Sequence, residues 1–179
     1  MPTILATVIN AFILILLLLL MASALVHVYF LVPYVPTRKR VAKKMIEVAG
    51  LKPGEHVVDL GCGDGRLLLY AERAAHVRGV GFELAPLVYF LARIRKLITH
   101  AKYTLHFQNL FKADLHDADV IFCYLIPEIM PRLVEKILKE CKKGTRVISN
   151  TFKIPGLTVS RVIARDDAAH LPTIYVYRI

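Results

Sequence analysis

Apolar residues follow two different patterns along the chain. From residue 4 to residue 32 they are nearly continuous, and no Asp, Glu, Lys or Arg interrupts them. After Pro36, short apolar runs alternate with longer segments in which apolar residues recur every three or four positions. These patterns are typical of buried strands and of helices packed along one face. The sequence therefore predicts an N-terminal hydrophobic segment, residues 1–36, followed by one domain, residues 37–179.

The hydrophobic segment is predicted to be a single-pass transmembrane anchor. A membrane-spanning helix needs about 20 apolar residues, and a helix of a soluble core would show a polar face that this segment lacks. A cleaved signal peptide processed at residues 22–24 is the alternative, although the N-terminus lacks basic residues and the apolar run is longer than signal peptides use. The rings of His27, Tyr29 and Tyr34 are expected at the membrane interface.

Basic residues follow the anchor directly. The stretch TRKRVAKK, residues 37–44, contains five Lys or Arg and no acid. Because basic flanks of a membrane helix stay on the cytoplasmic side, the domain is predicted on the cytoplasmic side, or on the matrix side of an organelle. The same residues are expected to contact anionic lipid headgroups.

Strands and helices alternate through most of the domain. The predicted strands are residues 56–60, 77–83, 103–107, 118–124, 145–150, 159–164 and 173–178. The predicted helices are residues 38–49, capped by Thr37, and residues 66–75, 86–98 and 127–144. Alternation predicts a parallel sheet with helices on both faces, whereas the short loop between the last two strands requires them to be antiparallel. The predicted fold is α/β, a doubly wound, mostly parallel seven-stranded sheet closed by an antiparallel C-terminal hairpin.

On the last of these helices one apolar stripe is expected to face the core. The stripe consists of Leu133, Val134, Ile137, Leu138 and Cys141.

A glycine-rich loop follows the first strand. In VVDLGCGDGRL, residues 57–67, three glycines occupy five positions between a strand and a helix. A P-loop requires Lys and then Ser or Thr after its last glycine, but Arg66 and Leu67 stand there. A dinucleotide loop requires a third small residue, and that position is also Arg66. An NAD-linked oxidoreductase is therefore the least favoured interpretation.

The spacing D-x-G-x-G-x-G resembles motif I of the class I, seven-strand S-adenosylmethionine-dependent methyltransferases. The matching residues are Asp59, Gly61, Gly63 and Gly65. The resemblance implies that the loop backbone, with Cys62 inside it, approaches the methionine and ribose portions of S-adenosyl-L-methionine, while Asp59 helps to hold the amino group. Glu83, which ends the second strand, is expected to accept the ribose hydroxyls. Asn109 after the third strand is expected either near the adenine or as the cap of a turn.

A second resemblance concerns the methyl acceptor. CYLIPEIMPRL, together with KKGTRVISNTFKIPG, is similar to the small protein-lysine methyltransferases that include membrane-anchored members and short prokaryotic relatives, over residues 38–157. It implies a lysine acceptor, with Tyr124, Pro127 and Glu128 as the candidate catalytic residues. Tyr124 would orient the neutral amine, Pro127 would line the acceptor pocket, and Glu128 would steer the lysine ammonium. The chain departs from these relatives at residues 150–151, where they often carry His-Asp.

Charge and cysteines narrow the functional classes. The formal net charge of +10 lies entirely after Pro36. No recognition motif of interleaved aromatic and basic residues accompanies it, so a nucleic-acid partner is not expected. Cys62, Cys123 and Cys141 form no Cys-x-x-Cys pair, which argues against both a disulfide framework and a zinc site. We expect reduced thiols and no metal.

The sequence as a whole predicts a membrane-tethered methyltransferase that acts on lysine side chains of a protein, and a protein embedded in the membrane is the expected target. A methyltransferase for a membrane lipid or quinone is the first alternative, because the anchor would serve it equally well. A cofactor-binding scaffold without catalysis is the second.

Overall fold

The computed structural model describes the backbone of residues 2–30 and 34–179, and the side chains of residues 3–25 and 34–179. The predicted interface positions of His27 and Tyr29 therefore lie outside the described side chains. Helix α1, Pro2–Phe30, contains a stretch, Thr3–Leu25, with a mean hydropathy of 2.9. By length and composition this stretch could cross a membrane, a property that it shares with signal sequences.

Seven strands form one sheet. They are β1 (His56–Leu60), β2 (Arg78–Glu83), β3 (Thr104–Phe107), β4 (Val120–Cys123), β5 (Arg146–Asn150), β6 (Val159–Ile163) and β7 (Ile174–Arg178). The strand order is β3-β2-β1-β4-β5-β7-β6. Strands β1 to β5 are parallel, and β7 is antiparallel to both β5 and β6. The predicted sheet and its antiparallel closure are confirmed.

Four helices belong to the domain. They are α2 (Lys39–Ala49), α3 (Arg66–Ala75), α4 (Pro86–Thr99) and α5 (Met130–Glu140), with short 3-10 helices at Leu110–Lys112 and Pro127–Ile129. The prediction that Thr37 caps the first of these helices is wrong, because Arg38 occupies the N-cap and makes no side-chain cap hydrogen bond. Thr37 instead offers its carbonyl oxygen to the Arg66 guanidinium.

The helix predicted over residues 127–144 is shorter than expected. Its first turn is 3-10, and α5 ends where the Cys141 amide donates a last hydrogen bond to the Ile137 carbonyl. Leu133 and Ile137 are buried, but Leu138 is 59% exposed. That part of the predicted stripe is wrong, since Leu138 lies about 100° around the helix from Ile137 and turns away from the sheet.

The core has one layer on each face of the sheet. Helices α2 and α3 cover one face, where Val57 and Phe122 are buried, and α5 covers the other, where Val58 and Ile121 are buried. Adjacent strand residues thus supply opposite layers, as the two-residue period of a strand requires. Because both faces are covered, these strands read as continuous apolar runs rather than as alternating ones.

Candidate active site

A pocket of about 270 Å³ opens at the carboxyl ends of β1, β2 and β4. This edge is where ligands bind in open α/β sheets, beside the point at which the strand order reverses, here between β1 and β4. Six of the residues predicted from the sequence line the pocket: Asp59, Gly61, Cys62, Glu83, Asn109 and Tyr124. The fold thus brings together side chains from four separate strand ends.

The glycine loop adopts backbone conformations that favour glycine. Gly61, Gly63 and Gly65 have φ angles of 76°, 57° and 75°, a region that residues with a Cβ rarely occupy. A Cβ on Gly63 would also lie 2.9 Å from the ring of Tyr34, and one on Gly65 would lie 2.9 Å from the hydroxyl of Tyr103. Two of the three glycines are therefore required by packing within the chain as well as by backbone conformation.

Asp59 is buried at the end of β1 and faces the pocket. Its exposed fraction is 5%. Burial raises the pKa of its carboxyl group to about 8, and the nearby charges of Glu83 and Asp64 add to the rise. No hydrogen bond among the described residues supports the charged form of this side chain. A cationic group entering the pocket would favour that charged form, so the carboxyl group suits a ligand with a positive charge.

Glu83 has a role that the sequence did not reveal. Its Oε2 accepts a hydrogen bond of 3.0 Å from the Gly63 amide, and its Oε1 accepts bonds of 2.8 Å from the amides of Leu84 and Ala85. The carboxylate therefore fastens the glycine loop to the end of β2. Since a carboxylate has about four acceptor positions, it can still accept a bond from a ligand hydroxyl.

Asn109 both lines the pocket and caps a turn. Its Oδ1 accepts a hydrogen bond of 3.0 Å from the Phe111 amide at the start of the 3-10 helix Leu110–Lys112. The turn-capping interpretation of this residue is therefore correct. The bond occupies Oδ1, and the side-chain amide nitrogen is the group that could serve a ligand.

Tyr124 forms the opposite wall of the pocket. Its ring stacks with that of Phe152 at a centroid distance of 6.4 Å and an interplanar angle of 21°, and apolar side chains of residues 125, 126 and 129 continue this wall. Pro127 and Glu128 are exposed, and neither lines this pocket. Pro127 lines a separate, open depression together with Gly156 and Leu157. Their roles toward an acceptor stay predictions.

The segment between α1 and α2 completes the pocket, which the sequence did not reveal. Residues 34–37 all line it. The Tyr34 ring covers Gly63, and Arg66 donates a hydrogen bond of 3.2 Å to the Thr37 carbonyl. Arg66, the first residue of α3, stands where nucleotide loops carry a small residue or Lys, and here its guanidinium contacts this segment.

An ion-pair cluster supports that segment. Asp64 pairs with Arg66 at 2.6 Å and with Arg95 on α4 at 2.7 Å. Burial by itself would raise the pKa of Asp64, but hydrogen bonds and charges from Arg66, together with the charge of Arg95, outweigh burial and lower that pKa. Asp64 and Arg66 thus hold the loop in place.

All three cysteines are free thiols, and burial raises the pKa of each. Cys62 and Cys123 are buried free thiols, and Cys141 is a half-buried one. Burial raises the pKa of Cys62 far above its usual value and that of Cys123 to about 12. Since the thiolate is the nucleophile, none of these neutral thiols is a candidate for covalent catalysis.

Comparison with known proteins identifies relatives of the whole domain. A family model described as the ANTKMT methyltransferase domain matches residues 59–161. A protein-lysine N-methyltransferase of Saccharolobus islandicus is 36% identical over 82% of this chain and 92% of its own length. The adenine nucleotide translocase lysine N-methyltransferase of Mus musculus is 31% identical over 80% of this chain, which spans 66% of that protein.

Solved structures agree with this relationship. An RNA methyltransferase from Salinibacter ruber, in complex with S-adenosyl-L-homocysteine, superposes with a TM-score of 0.76 at 30% identity, over 81% of this chain and 94% of its own. A methyltransferase from Thiobacillus denitrificans with the same ligand superposes with a TM-score of 0.57 at 19% identity, which shows the shared fold.

The residues of the pocket fit the cofactor of this family. S-adenosylmethionine carries an ammonium and a sulfonium group but no phosphate. These charges match a glycine-rich loop that is flanked by the acids Asp59 and Glu83 and contains no Lys. The fold, the glycine loop and the relatives lead to one conclusion. The chain belongs to the ANTKMT methyltransferase domain family of class I S-adenosylmethionine-dependent enzymes, whose curated relatives are protein-lysine N-methyltransferases.

Proposed function

We propose that α1 tethers this enzyme to a membrane and that the enzyme methylates lysine side chains of a protein embedded in the same membrane. One observation carries the proposal. The amide of Leu87, at the start of α4, donates a hydrogen bond of 2.8 Å to the Ser23 hydroxyl near the end of the apolar stretch of α1. Ala85, two residues before Leu87, lines the pocket. The pocket therefore opens next to the end of the candidate membrane span.

Two further observations support a membrane substrate. The basic residues 38–44 follow the anchor and favour a domain on the cytoplasmic or matrix side. Relatives are named for lysines of an adenine nucleotide translocase and of ATP synthase subunit c, both membrane proteins. A lysine close to the membrane surface of such a protein is within reach of the pocket.

The cofactor and the chain have separate tasks in the reaction. When bound, S-adenosylmethionine would supply a methyl group on a positively charged sulfur. The lone pair of a neutral amine would bond to the methyl carbon, and the sulfur would leave with the electron pair of the broken bond as the neutral thioether of S-adenosylhomocysteine. In our proposal Asp59, Glu83 and the backbone of the glycine loop hold the cofactor, with Asn109 next to its base. Positioning of the two reactants is the main contribution required of the protein in such a transfer.

The acceptor amine must lose its proton before it can react. A free lysine has a pKa of about 10.4, and burial in an apolar site lowers the pKa of an amine. The Tyr124–Phe152 wall and its apolar neighbours provide such surroundings. Tyr124 accepts a hydrogen bond from the neutral amine and orients it, while the exposed Glu128 attracts the lysine ammonium before it enters.

Replacement of Tyr124 tests this role. We expect Tyr124→Phe to lower kcat by about tenfold or more with an unchanged affinity for S-adenosylhomocysteine, because only the orienting hydroxyl is lost. Phe111 lines the pocket and bonds through its amide to Asn109, which we propose lies next to the cofactor base. Phe111→Leu is therefore the control and should weaken cofactor binding without a comparable loss of kcat. A Tyr124→Phe enzyme with wild-type kcat would remove Tyr124 from the mechanism.

The acceptor is tested with the full chain in its membrane. Membranes from cells with and without the chain are incubated with radiolabelled cofactor and separated into protein, solvent-extractable and RNA fractions. We expect label in protein, with mass increments of one or more methylene units on lysines, and only in membranes that contain the chain. Label in the solvent extract would support a lipid or quinone acceptor instead, and cofactor binding without any label would indicate a scaffold.

The RNA fraction tests a second candidate acceptor. The Salinibacter ruber structure is that of an RNA methyltransferase, and the net charge of +10 of this chain would suit a polyanion. Label confined to RNA would overturn the proposed lysine acceptor.

A further inference from the structure

Helix α4 presents an apolar stripe to its surroundings. The stripe, called the α4 stripe below, consists of Phe90, Leu91, Ile94, Leu97 and Ile98, all of them exposed. Leu97 and Ile98 are exposed to 74% and 70%. At about 100° per residue these five side chains occupy one arc of roughly 120°. Contiguous apolar surface of this kind marks an interaction site in a folded protein.

The α4 stripe is separate from the contacts that hold α4 in the domain. Val88 and Ala92 are the buried residues of the helix, which packs against α3, β2 and β3. Helix α1 also packs against α4, yet the stripe remains exposed with α1 in place. Among the described residues, therefore, neither the core nor the candidate anchor covers this face.

The position of α4 beside α1 suggests what covers the stripe. The Leu87–Ser23 hydrogen bond lies at the first turn of α4 and near the end of the apolar stretch Thr3–Leu25. If α1 spans a bilayer, the start of α4 lies at the level where the hydrocarbon gives way to headgroups. The apolar surface of α1 and the α4 stripe then both contact the same lipid bilayer.

Charges along the edge of the stripe agree with that position. Arg93 is exposed beside one edge of the apolar arc, and Arg95 lies half-buried beside the other edge, where it pairs with Asp64. No acidic residue occurs in the helix. An apolar face flanked by Lys and Arg is the pattern of helices that lie in the plane of a membrane interface. Anionic headgroups attract such residues with about 1 kcal/mol each.

We propose that α4 is a second membrane contact, which lies in the interface plane with the α4 stripe turned toward the acyl chains. This inference rests on the tether proposed above. It goes further, because a single helical anchor leaves a domain free to rotate about it, whereas two contacts fix its orientation. The fixed face includes the N-terminal end of α4, where Ala85 lines the pocket. The pocket would then be held toward the membrane surface, at the height of lysines that flank a membrane-spanning segment.

The chain offers a clean spectroscopic test, because it contains no Trp. Leu97→Trp places one reporter in the stripe, and Leu138→Trp places a matched one on α5, across the sheet, where Leu138 is 59% exposed. The full chain is reconstituted into vesicles of phosphatidylcholine and phosphatidylglycerol. We expect blue-shifted emission from the Leu97→Trp protein, quenching by lipids brominated on their acyl chains, and little quenching by iodide. The Leu138→Trp protein should show the reverse.

Two outcomes would overturn the inference. Equal iodide quenching of both reporters would show that the stripe is in contact with water. Shielding from iodide without quenching by brominated lipid would indicate a protein partner or a second copy of the chain.

Flotation of the same vesicles tests the tether independently. A chain that floats but shows an iodide-accessible Leu97→Trp would refute the α4 contact alone, whereas a chain that does not float would refute the tether and the α4 contact with it.

A charged variant tests the consequence for activity. Leu97→Glu combined with Ile98→Glu should leave methylation of a soluble lysine peptide unchanged and lower methylation of a vesicle-embedded acceptor by about tenfold. Leu138→Glu is the control and should affect neither substrate. An equal loss on both substrates would show damage to the fold, in which case the emission of the Leu97→Trp protein decides, and no loss on either would contradict a role of α4 in orienting the pocket.

Discussion

At the scale of single residues, two carboxyl groups at neighbouring strand ends have different hydrogen-bonding surroundings. Glu83 accepts three backbone hydrogen bonds, whereas Asp59 is buried beside other acids without a bond to its charged form. Glu83 therefore stabilises the loop of the free protein, and Asp59 does not. A buried acid with a raised pKa, facing a pocket, is typical of a functional residue, and here the state of Asp59 depends on whether a cation is bound.

The pH dependence of Asp59 follows from its raised pKa. The pKa of the Asp59 carboxyl group is near 3.8 in the unfolded chain and about 8 in the folded protein. Between these pH values the unfolded state therefore binds fewer protons. The free energy of unfolding of the ligand-free protein should therefore fall as the pH rises from about 4 to about 8. Cofactor affinity should rise over the upper part of this range, by up to about tenfold per pH unit, because a bound cation requires ionised Asp59.

Replacement of Asp59 should separate stability from binding. We expect Asp59→Asn to raise the Tm of the ligand-free protein by roughly 5 °C near neutral pH, since no buried carboxyl group is left to ionise. Its affinity for S-adenosylhomocysteine should fall by about tenfold or more and lose the pH dependence. Thermal unfolding and calorimetric titration measure the two effects. Asp117→Asn, an exposed control, should change neither, and an Asp59→Asn protein that binds normally would exclude the proposed contact.

At the scale of elements, the glycine loop depends on the strand beside it. The amides of Gly61 and Cys62 both donate to the Phe82 carbonyl on β2, at 3.0 Å. Next to Phe82, a Cβ on Gly81 would lie 2.7 Å from Cys62 Sγ and 2.9 Å from Cys62 Cβ. Because Gly81 has no side chain, the side chain of Cys62 in the loop can pack against the strand at this position.

Gly81→Ala should therefore damage the loop as well as the strand. We expect a loss of about 1–3 kcal/mol in the free energy of unfolding, typical of overpacking, together with weaker binding of S-adenosylhomocysteine because Cys62 must move. Gly79→Ala on the same strand is the matched control. Its Cβ would lie 3.0 Å from Tyr103 Cβ and 3.3 Å from a methyl group of Leu68, with no atom of Cys62 among its nearest neighbours, so it should lower stability but weaken the affinity less than Gly81→Ala does. Equal affinities for both variants would contradict the argument.

Most helices and strands were predictable from the sequence, but the helix predicted over residues 127–144 was not. The strand at residues 56–60 and the helix at residues 66–75 match their predicted bounds, because local periodicity and the intervening glycines define them. The helix predicted over residues 127–144 splits into a 3-10 turn and α5. Prolines at 127 and 131 allow either arrangement locally, and packing against the sheet decides between them.

At the scale of the whole molecule, the segment after the candidate anchor is also part of the cofactor pocket. Tyr34 covers Gly63, and a hydrogen bond links Arg66 to the carbonyl of Thr37. Burial, followed by the charge of Asp64, raises the pKa of the Tyr34 hydroxyl, so the ring stays neutral beside the loop. The family match begins only at residue 59, yet this wall of the pocket precedes it.

Tyr34 variants measure this link. We expect Tyr34→Ala to lower the affinity for S-adenosylhomocysteine by about tenfold, since it removes a ring from the pocket wall, while Tyr34→Phe keeps the ring and should lose much less. Calorimetric titration of the full chain in detergent provides both values. If Tyr34→Ala binds as tightly as the wild type, the segment contributes no binding energy to the pocket.

The sequence by itself determined what depends on near neighbours in the chain. Apolar periodicity predicts the sheet and the apolar helix, the short last loop predicts the antiparallel closure, and the resemblance of the Asp59 and glycine spacing to motif I of the class I methyltransferases predicts the cofactor loop. Only the tertiary structure decided which residues meet across the chain: the bonds of Glu83 to the loop, the raised pKa of Asp59, the Tyr34 wall and the exposed α4 stripe. Burial and contact between distant segments cause all four, and no local pattern encodes them.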